Sequence, residues 1–447
     1  MRPHRLALLG FILGFSSIAL AAGTPAGDSL HTGWLDTQVS PARSFFSYAN
    51  GGWQKSHPIP AAYSTWGTFN ILQVRNQKII RELIENAAKA QGAPGSTEQK
   101  VGDFYASGMD VKLIDRVGMN PLSPELDGIA GIRNTQDLQR EVAHLQMIGV
   151  DAMFGFGEMQ DFKDSTQVIG IAAQGGLGLP DRDYYLKQDP KFKQIRAEYV
   201  AHLARTFQLL GDGKALSERE AGIVMAIETR LAQASMSRIE QRNPHAIYHV
   251  MNLVELDRST PNFSWSAYFN EVGHPEIRSI NLAMPKFFEV LGKELRSVPL
   301  EQWKIYLRWR LIDAFAPYLS KPFVDENFRM QSAVTGAQKL LPRWQRVVNA
   351  EDDALGFAVG KLYVEKEFPP SSKAEVLAIL HGIRAALEDD LSTLPWMTPA
   401  TRKAAIAKLD LMGERIGYPD KWRDYSTLRI DRGPYVLNVM RANEFEQ

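Results

Sequence analysis

The sequence predicts a mainly α-helical fold, a large multi-helix body that carries one short β-hairpin. Three observations lead there. Apolar side chains return every three or four residues over long stretches: Phe192, Ile195, Tyr199, Leu203, Phe207 and Leu210 make one stripe, and Val376, Leu380, Ile383, Leu387 and Leu391 another. Helix-start chemistry stands beside them. Ser372 and Glu375 have capping-box spacing behind Pro369-Pro370, and Thr398-Pro399 places an N-cap residue before a proline at the first helical position. One region departs from this period. Met153 to Glu158 alternates with glycine, Gln167 to Ala172 contains Val168, Ile169 and Ile171, and Asp161-Phe162-Lys163-Asp164 lies between them, which reads as a short antiparallel hairpin.

From the start of the chain, Arg2 and Arg5 precede the uncharged apolar stretch Leu6 to Leu20, and Ala19-Leu20-Ala21 offers small residues around a cleavage position. Residues 1–21 are therefore expected to be a cleaved signal peptide. The stretch falls short of the ~20 apolar residues that a spanning helix needs. No cysteine stands near it to carry a lipid, so no stable membrane anchor is expected after cleavage. Residues 22–43 are expected to be a flexible segment. The formal net charge is zero, which gives a nucleic-acid partner no electrostatic support. The 447 residues contain no cysteine. An exported protein so composed must rely on its core, which fits a bacterial periplasm better than an animal extracellular space. Trp303 to Leu319 is apolar almost all round and predicts a helix buried between others. Gly175-Gly176-Leu177-Gly178-Leu179-Pro180 is a loop. It lacks the Gly-Lys-Ser/Thr of a phosphate-binding loop. Ala90 to Thr97 is a surface loop.

Candidate chemistry is sparse. None of the nine histidines is followed by Glu, so the zinc sequence His-Glu-x-x-His does not occur. His245 and His249 have the i, i+4 spacing of a shared helix face, but no carboxylate lies between them, and they read as two partly exposed helix histidines. His202 reads as a histidine at the flank of a core stripe. Asp389-Asp390 and Glu351-Asp352-Asp353 lack the alternating ligand loop of a calcium site and read as solvated surface. In Asp181-Arg182-Asp183-Tyr184-Tyr185 a structural role is expected, Arg182 pairing locally and the tyrosines packing. The chain thus offers no catalytic and no metal-ligating residues, and the residues that bind substrate stay unknown.

A set of ordered phrases carries a resemblance. Phe45-Phe46-Ser47-Tyr48-Ala49-Asn50-Gly51-Gly52-Trp53, Ile59-Pro60 and Trp66-Gly67-Thr68-Phe69 come first. Lys100 with Asp103-Phe104-Tyr105 and Met109-Asp110 follows, then Leu177-Gly178-Leu179-Pro180-Asp181-Arg182-Asp183-Tyr184-Tyr185-Leu186. Arg242-Asn243-Pro244, Tyr248, Met251 and Glu255-Leu256 come next, and Trp396-Met397, Thr401, Lys408, Ile416-Gly417-Tyr418-Pro419, Trp422 and Asp424-Tyr425 close the series. Together they resemble the neprilysin and endothelin-converting-enzyme family of zinc metallopeptidases, in its bacterial form.

The resemblance implies two largely helical lobes around an internal chamber. One lobe is thermolysin-like and carries zinc; the other caps the chamber and restricts entry to peptides. Only the N-terminal part of that plan is expected here, the zinc lobe being absent, with no cofactor in this chain although the full-length family uses zinc. Residues 44–70 are expected to pack on the missing lobe, 71–429 to form the helical capping domain, and 430–447 to begin the truncated catalytic lobe. Phe45, Phe46, Trp53, Tyr435 and Val436 are then expected in water. Thr65 stands where some members carry an arginine that grips a substrate carboxylate, which favours endopeptidase action. The expected function is that of the substrate-capping domain of a secreted, periplasmic zinc metalloendopeptidase in proteolysis, inactive alone. The alternatives are a catalytically dead periplasmic protein that binds peptides or proteins, and an unrelated hydrolase with paired carboxylates, for which no pair is singled out.

Overall fold

The computed structural model describes residues 31–447; the expected signal peptide lies outside the described residues. The chain enters through α1 (Phe45–Ser56), α2 (Thr68–Ala90) and α3 (Thr97–Met109). Next, α4 (Val111–Val117), α5 (Ser123–Ala130) and α6 (Thr135–Met147) lead to the hairpin of β1 (Phe154–Gln160) and β2 (Val168–Gln174). The short α7 (Arg182–Leu186) precedes α8 (Pro190–Leu209) and α9 (Lys214–Ala234). Then come β3 (Val250–Asn252), α10 (Leu253–Ser259), α11 (Trp265–Glu271), β4 (Ser279–Leu282) and α12 (Pro285–Ser297). The last third holds α13 (Leu300–Phe315), α14 (Lys321–Thr335), α15 (Arg343–Glu367), α16 (Pro370–Thr393), α17 (Pro399–Asp410) and α18 (Tyr435–Glu446). The mainly α prediction holds, and both the α8 stripe and the hairpin lie where the sequence puts them.

The buried helix foreseen at Trp303 to Leu319 is α13. Trp303, Tyr306, Leu307, Trp309, Leu311 and Phe315 are all buried, against α9, α5 and α6. The hairpin proves to be half of a four-stranded sheet of order β1-β2-β4-β3, with β2 and β4 parallel and the other pairs antiparallel. Phe154 anchors it in an aromatic cluster with Phe263, Trp265 and Phe288, at ring separations of 5.5, 5.8 and 5.5 Å. These are ordinary offset and edge geometries.

A second layer joins α2, α3, α15 and α18, and the Lys100–Tyr105 phrase builds it. Lys100 Nζ donates to the carbonyls of Tyr425 and Ser426. Asp103 pairs with Arg432 at 2.6 Å, and the Phe104 ring meets Tyr435 at 5.5 Å. Asn438 Nδ2 donates to Ser107 Oγ at 2.9 Å. This corrects the expectation that Tyr435 and Val436 sit in water: both are buried, because α18 turns its apolar face onto α3 and α15. The entry segment is mixed. Phe45 and Phe46 are 69% and 63% exposed, as foreseen, but Trp53 is half-buried and stacks on His57 at 4.5 Å. Tyr63 Oη accepts from Gln345 Nε2 at 2.9 Å, and the Ala61 carbonyl accepts from the amides of Gln338 and Lys339.

Two further readings need correction. The Ser372–Glu375 capping box does not form. Helix α16 starts earlier, with Pro369 as N-cap and Pro370 at N1, and Ser372 is buried inside it. Proline at N1 already has helical φ and has no amide hydrogen to satisfy. The stripe on α16 is also not core, since Ile383 is 61% exposed and Leu387 is exposed too. By contrast, Thr398 Oγ1 accepts from the Thr401 amide at 3.2 Å and caps α17 as foreseen.

Candidate functional site

The phrase Leu177 to Leu186 forms a loop that ends in α7, and three tyrosines hold it from behind. Tyr306 Oη accepts from the Met153 amide at 3.0 Å and donates to the Gly176 carbonyl at 2.8 Å. Tyr185 Oη accepts from the Leu179 amide at 2.9 Å. Tyr185 and Tyr199 both donate to Glu228 Oε2 at 2.7 Å. Gly176 has φ +73°, and a Cβ on Gly178 would fall 1.9 Å from Tyr199 Oη. The glycines therefore serve the turn and the close approach. Tyr184 packs on Phe192 at 5.1 Å. The structural expectation for this phrase holds except that Arg182 does not pair locally; it donates to the Ser235 carbonyl at 2.6 Å, at the far end of α9.

Beneath the loop lies a buried charge cluster. Burial pushes the Glu228 carboxyl up to about 7, against the nearby Arg310 charge and the two tyrosine hydroxyls. Its Oε1 is buried without a partner among the described residues. Arg310 bonds Asp313 Oδ2 at 3.0 Å and the Asp151 carbonyl at 2.7 Å. Burial alone lowers its pKa, but the Asp313 charge leads the contributions that raise it above the ordinary value.

Gly178, Leu179, Pro180 and Asp313 line two cavities, of about 250 and 510 Å³. The smaller also touches Asp151 and Arg310. The larger runs between α8, α14 and α15, within the size range of ligand sites. Val324, Phe328, Met330 and Leu341 give it apolar walls, and Arg343 and Arg346 bring two guanidinium groups to it from the start of α15. Sequence reasoning did not single these arginines out. Their i, i+3 spacing just after Pro342 was the available signal.

His202 also reaches this cavity and is not a helix-flank residue. It is buried, its ring meets Trp309 at 5.3 Å, and its Nδ1 lies 2.8 Å from Glu326 Oε1, which also accepts from Arg205 Nε at 2.8 Å. Burial raises the Glu326 pKa, but the bonds from His202 and Arg205 prevail and hold it below the usual range.

The reading of Glu351-Asp352-Asp353 as solvated surface fails at Glu351. It is fully buried in α15, both carboxylate oxygens lack a partner among the described residues, and burial, then the Asp352 charge, pushes its pKa well above normal. Asp352, Asp353, Asp389 and Asp390 are exposed. His245 and His249 do not share a helix face. His245 lies in the 3₁₀ turn Pro244–Ile247, while His249 precedes β3, its amide bonded to Asn281 Oδ1 at 2.6 Å. Among the described residues no three His, Asp or Glu side chains gather to hold a metal ion. These residues do not fit zinc, which takes at least three protein ligands around one open position. What they offer is a site that can bind: cationic at one end, apolar along its walls.

Comparison with known proteins agrees with the geometry. Residues 41–419 match the sequence profile of peptidase family M13. The chain is 31% identical over 401 residues to human endothelin-converting enzyme 1, covering 86% of this chain and 51% of that enzyme. It superimposes on a crystal structure of the Mycobacterium tuberculosis zinc metalloprotease in complex with an inhibitor, with a TM-score of 0.87 and 34% identity over 92% of this chain and 63% of that one. The fold is shared with PepO of Lactobacillus rhamnosis, at a TM-score of 0.76 and 16% identity. The chain spans about half the length of the curated mammalian relatives it matches. On this evidence the chain belongs to peptidase family M13 and carries the family's N-terminal region.

Proposed function

We propose that this chain is the substrate-capping lobe of a secreted, periplasmic zinc metalloendopeptidase that acts on peptides, and that it does not hydrolyse them by itself. One observation carries the reading: Gly178, Leu179 and Pro180 of the Leu177 to Leu186 phrase help line a cavity of about 510 Å³, while these 447 residues contain no His-Glu pair. Zinc hydrolysis needs three ligands, an open position for water and a carboxylate base. That set would come from residues outside these 447.

Exposed apolar surface supports the two-lobe plan. Phe45, Phe46, Ile59 and Phe69 lie exposed along residues 44–70, and Ile379, Ile383, Leu387 and Trp396 along and just after α16. Apolar surface of this kind marks contact faces, and in this reading the 44–70 segment seats the zinc-bearing lobe. Export rests on Arg2, Arg5 and the apolar Leu6 to Leu20. No helix of the described residues is long and apolar enough to cross a membrane.

The purified chain, dialysed and analysed for metal, should hold far less than one zinc per chain and should leave an unstructured peptide intact with or without added zinc. Stoichiometric zinc that is lost on replacing His245 and His249, together with chelator-sensitive cleavage, would overturn the reading.

A further inference from the structure

Two cations stand where stability does not ask for them. Arg343 is the first residue of α15 and Arg346 lies one turn on. The N-terminal turn of a helix carries the positive end of its dipole, so cations there are disfavoured. Both side chains are half-buried. Burial lowers the pKa of each, and the Arg343 charge lowers that of Arg346 further. Arg343 Nε donates to the Gly108 carbonyl at 2.7 Å and Arg346 Nε to the Leu341 carbonyl at 3.2 Å. Each of these bonds uses the Nε alone, and the two terminal nitrogens have no hydrogen bond among the described residues.

Neither arginine has an ion-pair partner among the described residues. Asp353 lines the same cavity, and three further carboxylates are otherwise engaged. Asp115 accepts from the Lys321 amide and Asp325 pairs with Lys321 Nζ. Asp313, across the cavity, is taken up by Arg310. Other arginines of this chain show the contrast: Arg205, Arg230, Arg308 and Arg432 each meet a carboxylate within 3 Å. A planar fork matches a carboxylate with two parallel charge-assisted hydrogen bonds. Two adjacent forks beside apolar Phe328 and Leu341 suit a carboxylate that follows or is borne by an apolar stretch of peptide.

We propose that Arg343 and Arg346 form a carboxylate subsite in the larger cavity, which gives this lobe a preference for peptides with an acidic side chain or a free C-terminus held there. The inference rests on the peptide-binding reading above and adds a specificity determinant to it. Half-buried guanidinium groups without an ion pair gain from an incoming anion, because its charge offsets the cost of their lost hydration and their mutual repulsion.

The test uses the purified chain and four fluorescein-labelled unstructured octapeptides of one apolar sequence. They carry an internal Glu or Gln, and a C-terminal carboxylate or amide; binding is read by anisotropy at low and high salt. At low salt the Glu peptide, the free-acid peptide or both should bind about tenfold or more tighter than the Gln amide. High salt should shrink that gap. In Arg346→Met, and in Arg343→Met/Arg346→Met checked for folding by circular dichroism, the gap should close. Which peptide shows the gap tells whether a side chain or a terminus is the ligand. Equal binding of all four by the unaltered chain would overturn the subsite yet leave peptide capture standing. Binding of none would overturn the subsite and peptide capture by this lobe together, and a gap that survives both variants would place the recognition elsewhere and refute the subsite.

Discussion

Gly178→Ala is expected to destabilise the chain by about 3 kcal/mol, at the upper end of the cost of overpacking a filled core. The new methyl would lie 1.9 Å from Tyr199 Oη and 2.8 Å from its Cζ. Tyr199 cannot swing clear. It is buried, it donates to Glu228 at 2.7 Å, and its ring meets Trp309 at 5.9 Å. The loop cannot back away either, since Tyr185 and Tyr306 hold Leu179 and Gly176. Gly222 is the control. It is exposed in the middle of α9, with nothing within 4 Å of the added Cβ, so Gly222→Ala should stabilise by about 0.5–1 kcal/mol through helix propensity. Unfolding midpoints should move in opposite directions for the two variants. A Gly178→Ala protein as stable as the parent would mean that the loop is not pinned as described.

The contribution of Glu228 to stability should fall as pH rises from about 4.5 to about 7, and Glu228→Gln should remove it. The folded chain holds the Glu228 proton up to about 7, whereas the unfolded chain releases it near the ordinary 4.5. In that window the folded state binds more protons, so raising the pH favours unfolding. The contribution is complete below 4.5, is lost through about 7, and is flat above. At 1.36 kcal/mol per unit, the variant should gain about 3 kcal/mol on the parent across the window. Glutamine keeps an acceptor for Tyr185 and Tyr199 without a charge to desolvate. Denaturant unfolding of both proteins at several pH values reads the difference. Parallel profiles would show that Glu228 titrates in the fold as it does in the unfolded chain, and that its carboxyl is not held up to about 7.

Elements whose cause is local were legible. The α8 and α13 stripes are set by their own periodicity, and the α17 cap by Thr398 and Pro399. The hairpin needed only glycine alternation and a turn. Elements whose cause is distant were not. Strands β3 and β4 have three and four residues and exist because Met251 pairs with Ile280, and Ile280 with Gly170; no short-range pattern announces such pairing. Glu351 looked like the head of an acidic surface run because burial of one member cannot be read from charge alone. The α16 stripe has core periodicity but meets little besides α17, and periodicity does not say what covers a face. Tyr435 and Val436 were misjudged for the reverse reason, since α3 and α15 cover them. The site divides in the same way. The Leu177 to Leu186 phrase was conspicuous, but that Tyr199, Tyr306 and Glu228 back it, and that Arg343 and Arg346 share its cavity, depends on helices packed from far along the chain.

That this lobe encloses substrate while the chemistry comes from elsewhere is tested most directly by peptide cleavage, measured for the chain alone and for the chain joined to the His-Glu-x-x-His part of a family member. The mycobacterial zinc metalloprotease, at 34% identity, is a suitable donor. The account predicts no cleavage by the chain alone, and by the joined protein cleavage of an unstructured peptide that a zinc chelator abolishes and zinc restores. Chelator-resistant cleavage by the chain alone, or a folded and zinc-loaded joined protein that leaves the peptide intact, would contradict it.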